Sequence, residues 1–174
     1  MDVILVSAAS SKMFQEFVDS MHTIGAEYNE LVIGTSVIKP VEDLYVDVMG
    51  GSLDDPMAGE QVKELTEIWD YINNKSYNFA IHCIKSYQAM GTNILILDVS
   101  SMFVPYGIRR YCEEHQIKHD YIHLYRCMDD RMSNIISSNT KTKDYGVVNH
   151  TLLYGDTTKD VTFSQYYKMF RGIQ

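Results

Sequence analysis

Val3-Ile4-Leu5-Val6 is an unbroken apolar run; Ser7-Ala8-Ala9-Ser10-Ser11-Lys12 follows, and Met13, Phe14, Phe17, Val18 and Met21 then recur at helical spacing. A strand buried on both faces that turns at once into an amphipathic helix commits a chain to an α/β layered fold. The same turn is where phosphate-binding chains carry G-x-x-x-x-G-K-[ST]. The glycines of that motif let backbone N–H groups approach the phosphates, its Lys meets the terminal phosphates, and its hydroxyl holds magnesium. Here the glycines are missing, Lys12 remains, and Met13 takes the hydroxyl position. The scaffold of a nucleotide site is kept and much of its chemistry is gone.

Strand and helix signals alternate along the rest of the chain. Leu31-Val32-Ile33 reads as a short strand and Thr35 to Pro40 as a loop, because Pro40 pushes Lys39 toward extended backbone. Asp43 to Met49 alternates with the period of a half-exposed strand. Asp54, Asp55 and Glu60 mark an acidic, solvated loop. Val62, Leu65, Ile68, Trp69 and Ile72 share one helical face, and Asn73-Asn74-Lys75-Ser76 is expected to break that helix. A second helix runs from Phe79 to Met90 and ends at Gly91. Ile94-Leu95-Ile96-Leu97 is a buried central strand, Ile108 to Glu114 a helix, and Asp120 to Tyr125 a strand. Met128 to Ile136 reads as a short helix, Tyr145 to Val148 as the last strand, and Phe163 to Phe170 as the closing helix. The expected architecture is one α/β domain over residues 1–174, with a mostly parallel sheet between helical layers and a small inserted lobe from Gly34 to Ile72.

Composition narrows the function classes. A formal charge of −8 argues against coating DNA or RNA, which needs clustered Lys and Arg. The three cysteines, Cys83, Cys112 and Cys127, form no CxxC pair or His/Cys cluster, so no metal site is expected and the thiols read as reduced and inert. No stretch has the length of a membrane span, and the start carries no secretory signal, so an intracellular, cytoplasmic location is the expectation. His115, His119 and His123 recur every four residues. A helix end and a loop separate them, so surface positions are expected rather than a metal stripe.

Several strings, in this order, resemble the guanylate kinase family of P-loop nucleoside monophosphate kinases. Val3-Ile4-Leu5-Val6-Ser7 is similar to that family's first strand. Thr35-Ser36-Val37-Ile38-Lys39-Pro40 resembles its T-T-R-x-P-R segment, and Glu67-Ile68-Trp69 with Tyr77 its E-W … Y-G element. Gly91 to Val99 resembles G-K-x-V-I-L-D-I-D, and Asp144 to Asn149 resembles D-Y-V-V-V-N-D. The resemblance spans nearly the whole chain and implies a three-layer P-loop-kinase fold. It also implies ATP with magnesium as cofactors, if activity is kept. The departures are chemical. The phosphate loop is two residues short. The two arginines that grip the acceptor phosphate fall at Ile38 and Val41, where no planar guanidinium fork is available. The base-reading Glu falls at Ile68, one residue from Glu67. Of the arginine-bearing lid, Arg131, Lys141 and Lys143 remain.

The residues this reading singles out are Ser10, Ser11, Lys12, Ser36, Tyr45, Glu67 and Tyr77 for nucleotide contacts, and Lys12, Asp98 and Arg131 for catalysis. Lys12 would neutralise phosphate, Asp98 would hold magnesium or the acceptor, and Arg131 would stabilise charge from the lid. Against these stand bland roles: a solvated lysine, a turn cap at Asp98, a tyrosine packed with one wet edge at Tyr77. Phosphoryl transfer depends on positioning and on spreading charge over metal, Lys and Arg. With most of these parts missing, the sequence points to a guanylate-kinase-like chain without efficient catalysis that binds a protein partner or a nucleotide, or pairs with itself in a homo-oligomer. A viral or phage accessory protein, acting in the host cytoplasm, would suit the worn motifs. The alternative is an active nucleotide kinase with a divergent acceptor. A third is a small nucleotide-sugar transferase with Asp98-Val99-Ser100 as a poor D-x-D.

Overall fold

The computed structural model describes residues 1–30, 32–38, 58–102, 105–126 and 148–174, with backbone only for 58–73. Among these residues five strands form one parallel sheet: β1 (Asp2–Ala8), β2 (Ile33–Val37), β3 (Ile94–Asp98), β4 (His119–Tyr125) and β5 (His150–Leu153), in the order β2-β3-β1-β4-β5. The helices are α1 (Ser11–Glu27), α2 (Ala58–Ala89), α3 (Tyr106–Glu114) and α4 (Lys159–Arg171). The expected α/β class and parallel sheet are those of the structure.

β1 lies at the centre, with Val3 in register with Leu95 of β3 and with His119 of β4. Covered on both faces, it can carry four consecutive apolar residues, and Val3 to Val6 are all fully buried. Alternate side chains go to opposite layers. Ile4, Val6, Ile94, Ile96, Ile122 and Leu124 pack under α1 and α4, against Phe17, Met21, Phe163 and Tyr167. Val3, Leu5, Leu95 and Leu97 pack under α2 and α3, against Ala80, Ile84, Ile108 and Cys112. The result is a helix–sheet–helix sandwich. Arg171 ties its closing turn to both ends of the first βα unit through Asp2 and Glu30.

Two expectations are corrected. The break at Asn73 to Ser76 is absent, because α2 runs through it as one helix of 32 residues. Local propensity is a weak prior, and here Ser76 faces inward, only 4% exposed, one turn before the core residue Ala80. The second strand is Ile33–Val37 rather than Leu31–Ile33, so Gly34 to Val37 belong to the sheet and not to an inserted lobe. β5 is His150–Leu153, and Val148 and Asn149 precede it. Of the expected strand at Tyr145 to Val148, residues 145–147 lie outside the described residues. The expected strand at 43–49, the acidic residues Asp54 and Asp55, and the expected helix at 128–136 lie outside the described residues.

Candidate functional site

In an open parallel sheet, ligands sit beyond the carboxyl ends of adjacent strands whose outgoing connections leave to opposite faces. Here those strands are β1 and β3. β1 is followed by α1 on one face, and β3 by α3 on the other.

β1 ends at Ala8 and α1 begins at Ser11, leaving only Ala9 and Ser10 between them. Ser10 is the N-cap of α1, with extended backbone (φ −151°, ψ 157°), and its hydroxyl accepts from the Met13 amide at 3.3 Å. The Ala8 amide donates to Ser100 Oγ at 2.8 Å. The Ser100 amide donates to Asp98 Oδ1 at 2.9 Å, and the Ser100 hydroxyl donates to the same oxygen. Asp98, 8% exposed at the end of β3, thus holds Ser100, and Ser100 closes the end of β1. No residue from Ser7 to Lys12 has a positive φ. The alternating right- and left-handed backbone that makes an anion nest is therefore not formed at this turn.

The structure brings Ser10, Ser11 and Lys12 to the start of α1, with Ser11 and Lys12 exposed, and ties Asp98 to the same sheet edge through Ser100. Ser36 and Tyr77 are not part of that group. Ser36 lies on β2 and accepts from the Cys83 thiol at 3.7 Å on the α2 side of the sheet. Tyr77 is half-buried on α2 and its ring packs over Gly107 of α3, so close that a Cβ there would sit 2.9 Å from Tyr77 Cδ2. Glu67 lies on α2, and its side chain is outside the described residues, as are Tyr45 and Arg131. Ile38, where the family would place a phosphate-gripping arginine, is fully buried in the α2–α3 layer, and its amide donates to Asp98 O at 2.8 Å.

These residues do not fit a magnesium triphosphate. The amide that ends β1 is already bonded to Ser100, the turn has no left-handed residue, and Met13, in the hydroxyl's place, is a buried core side chain.

Three polar clusters were not foreseen. Arg126, after β4, meets Glu16 of α1 with Nη2 2.8 Å from Oε2 and Asp156 with Nη1 3.0 Å from Oδ1, and its guanidinium lies over Tyr154. Buried Asp120 accepts from the Tyr166 hydroxyl at 2.9 Å, with His150 Nε2 at 3.7 Å, and burial raises its carboxyl above the usual range. His123, expected at the surface, is only 6% exposed. It stands on β4 between β1 and β5, its Nδ1 3.2 Å from Ser7 Oγ, and burial lowers its pKa. The expectation failed because His123 occupies a strand that is not at the sheet edge. The usable signal was alternation, since Tyr121, His123 and Tyr125 share one face. The expectation of inert thiols fits Cys83 and Cys112, both free and buried; burial pushes the Cys112 thiol up to about 12. Among the described residues no group of three or more His, Cys, Asp or Glu could hold a metal ion, and no helix is long and apolar enough to cross a membrane.

No family model matches the chain, and no curated protein does. Among solved structures it is similar to a de novo designed PLOOP2X3_50 fold protein determined by solution NMR. The match has 10% identity, covers 99% of this chain and 96% of the design, and has a TM-score of 0.46.

Proposed function

We propose that the protein is a guanylate-kinase-like binding module that has lost efficient phosphoryl transfer and engages a partner without turning over a nucleotide. The observation that carries this reading is the passage from β1 to α1 through two residues, with the Ala8 amide held by Ser100. A phosphate cradle of the G-x-x-x-x-G-K-[ST] type needs a longer loop with free, converging amides. The buried Ile38 adds to it, since a core side chain cannot grip an acceptor phosphate. Together these features favour a protein partner over a triphosphate. Lys12 and Asp98 are the residues a kinase reading would rely on, so the test addresses them directly. Purified protein with ATP and Mg²⁺ should show no rise in melting temperature, because a ligand that does not bind the native state adds no stability. It should also form no ADP with any common nucleoside monophosphate, and Lys12→Ala should change neither result. Turnover at ordinary kinase rates, abolished by Lys12→Ala, would overturn the reading.

A further inference from the structure

The two edges of the described sheet are treated differently. At the β2 edge, Tyr87 of α2 crosses Gly34 and its hydroxyl donates to Thr35 O at 3.0 Å, so an edge carbonyl is capped by a side chain. Covering an edge in this way blocks strand addition. The β5 edge has no such cover among the described residues. Instead a groove of ≈ 500 Å³ follows it, lined by Thr151 and Leu152 of β5, by Tyr125 on one side of the strand, and by Gln165, Tyr166 and Met169 of α4 on the other. A groove walled by residues from both faces of an edge strand lies along the edge itself, where a further strand would run. At the far end of the ladder the Tyr154 amide donates to Tyr125 O at 3.2 Å. Alternation along the ladder then turns His150 and Leu152 toward β4 and the backbone groups of Thr151 and Leu153 outward.

We propose that the β5 edge is the docking site for an extended peptide segment of a partner protein, neutral or basic in character, added as a sixth strand. This rests on the binding-module reading and names its partner class. Strand addition draws affinity from main-chain hydrogen bonds and specificity from alternate side chains. On the α4 side those side chains would meet Leu152 and Met169, the latter 50% exposed; on the other they would meet Tyr125 and Thr151. Size and charge choose between occupants. The edge is four residues long, about 13 Å at strand rise, which suits a short peptide. A stable dimer needs about 800 Å² from each copy, well beyond a strip of this length. A second copy would also bring a formal charge of −8 against −8. The formal charge of −8 favours a basic residue in the partner strand.

The test is an array of hexapeptides in which alternate positions run through all residue types, screened against the full chain. Each hit is remade with alternate amides N-methylated. We expect hits with Val, Ile or Thr at alternating positions and at least one Lys or Arg. Binding should weaken at least tenfold on N-methylation, and exchange of the Thr151 and Leu153 amides should slow on binding. Leu153→Pro removes an outward amide and should abolish binding. Met169→Lys, at an exposed position, should weaken it and covers the case in which the proline variant fails to fold. Binding that is indifferent to N-methylation, no hit tighter than about 1 mM, or a constitutive dimer by light scattering that Met169→Lys dissolves would each overturn the proposal. The binding-module reading is judged separately, by ATP turnover, so a silent array with no kinase activity removes only the peptide proposal.

Discussion

Gly34→Ala is the sharpest probe of how the α2 layer grips the sheet. A Cβ at Gly34 would stand 2.5 Å from both Cδ1 and Cε1 of Tyr87. Ordinary carbon contacts lie at about 3.5–4.0 Å, so the ring must retreat by roughly 1 Å. That retreat breaks the bond from the Tyr87 hydroxyl to Thr35 O, now 3.0 Å long. Overpacking of this kind costs about 1–3 kcal/mol, and the lost hydrogen bond about 0.5–1.5 kcal/mol. The lower entropy of the unfolded alanine chain returns about 0.4–1 kcal/mol. The net expectation is a loss of roughly 1–3 kcal/mol, or about 3–10 °C in Tm at the usual scaling for this size. Urea unfolding followed by far-UV circular dichroism, with calorimetry for Tm, reads both quantities. In Gly34→Ala/Tyr87→Ala the clash has no ring to meet, so the double variant should lose at least ~1 kcal/mol less than the sum of the single variants. A Gly34→Ala protein within about 0.5 kcal/mol of the parent, the scale of an ordinary surface change, would refute the packing account, as would additivity.

Asp120→Asn keeps an acceptor for the Tyr166 hydroxyl and removes a buried charge whose folded pKa is raised. Such a group stabilises the fold below the unfolded carboxylate range and loses that contribution as pH rises through the folded pKa. The variant should therefore be more stable than the parent at neutral pH and gain nothing near pH 3, as read by unfolding midpoints across pH. His123 has the opposite dependence, because burial lowers its pKa. Its contribution is present above about pH 6.5, the unfolded value, and is lost as the pH falls through the folded value. His123→Gln should flatten the acid side of the stability profile; an unchanged profile would contradict the buried, neutral ring. Cys112, with its thiol pushed up to about 12 by burial, should resist a disulfide-exchange reagent at pH 7.5 in the native state and react fully once unfolded. Ser100→Ala removes the acceptor of the solvent-accessible Ala8 amide and should destabilise by about 0.5–1.5 kcal/mol, the net worth of one hydrogen bond.

The central layers were legible in the sequence because burial on two faces writes a continuous apolar run. Val3 to Val6 and Ile94 to Leu97 could be read with no knowledge of their neighbours. So could α1, whose stripe from Met13 to Met21 has one interpretation. The sheet edges were not legible. β2 reads Ile-Gly-Thr-Ser-Val and β5 reads His-Thr-Leu-Leu, and both owe their strand state to one neighbouring strand and a covering helix. At the site, Ser10, Ser11 and Lys12 were found by their place at the strand-to-helix turn. Ser100 was missed as a partner of β1, since a contact across 92 residues leaves no local trace. The ion pairs of Arg126 were missed for the same reason, with Glu16 lying 110 residues away.

On the proposed reading, the turn from β1 to α1 does not seat a triphosphate. Titrating ¹⁵N-labelled protein with ATP and Mg²⁺ while following the backbone amides of Ala8 to Met13 decides this. We expect their resonances to stay in place at millimolar nucleotide. Saturable shifts confined to these amides, with ADP accumulating when a nucleoside monophosphate is added, would contradict it.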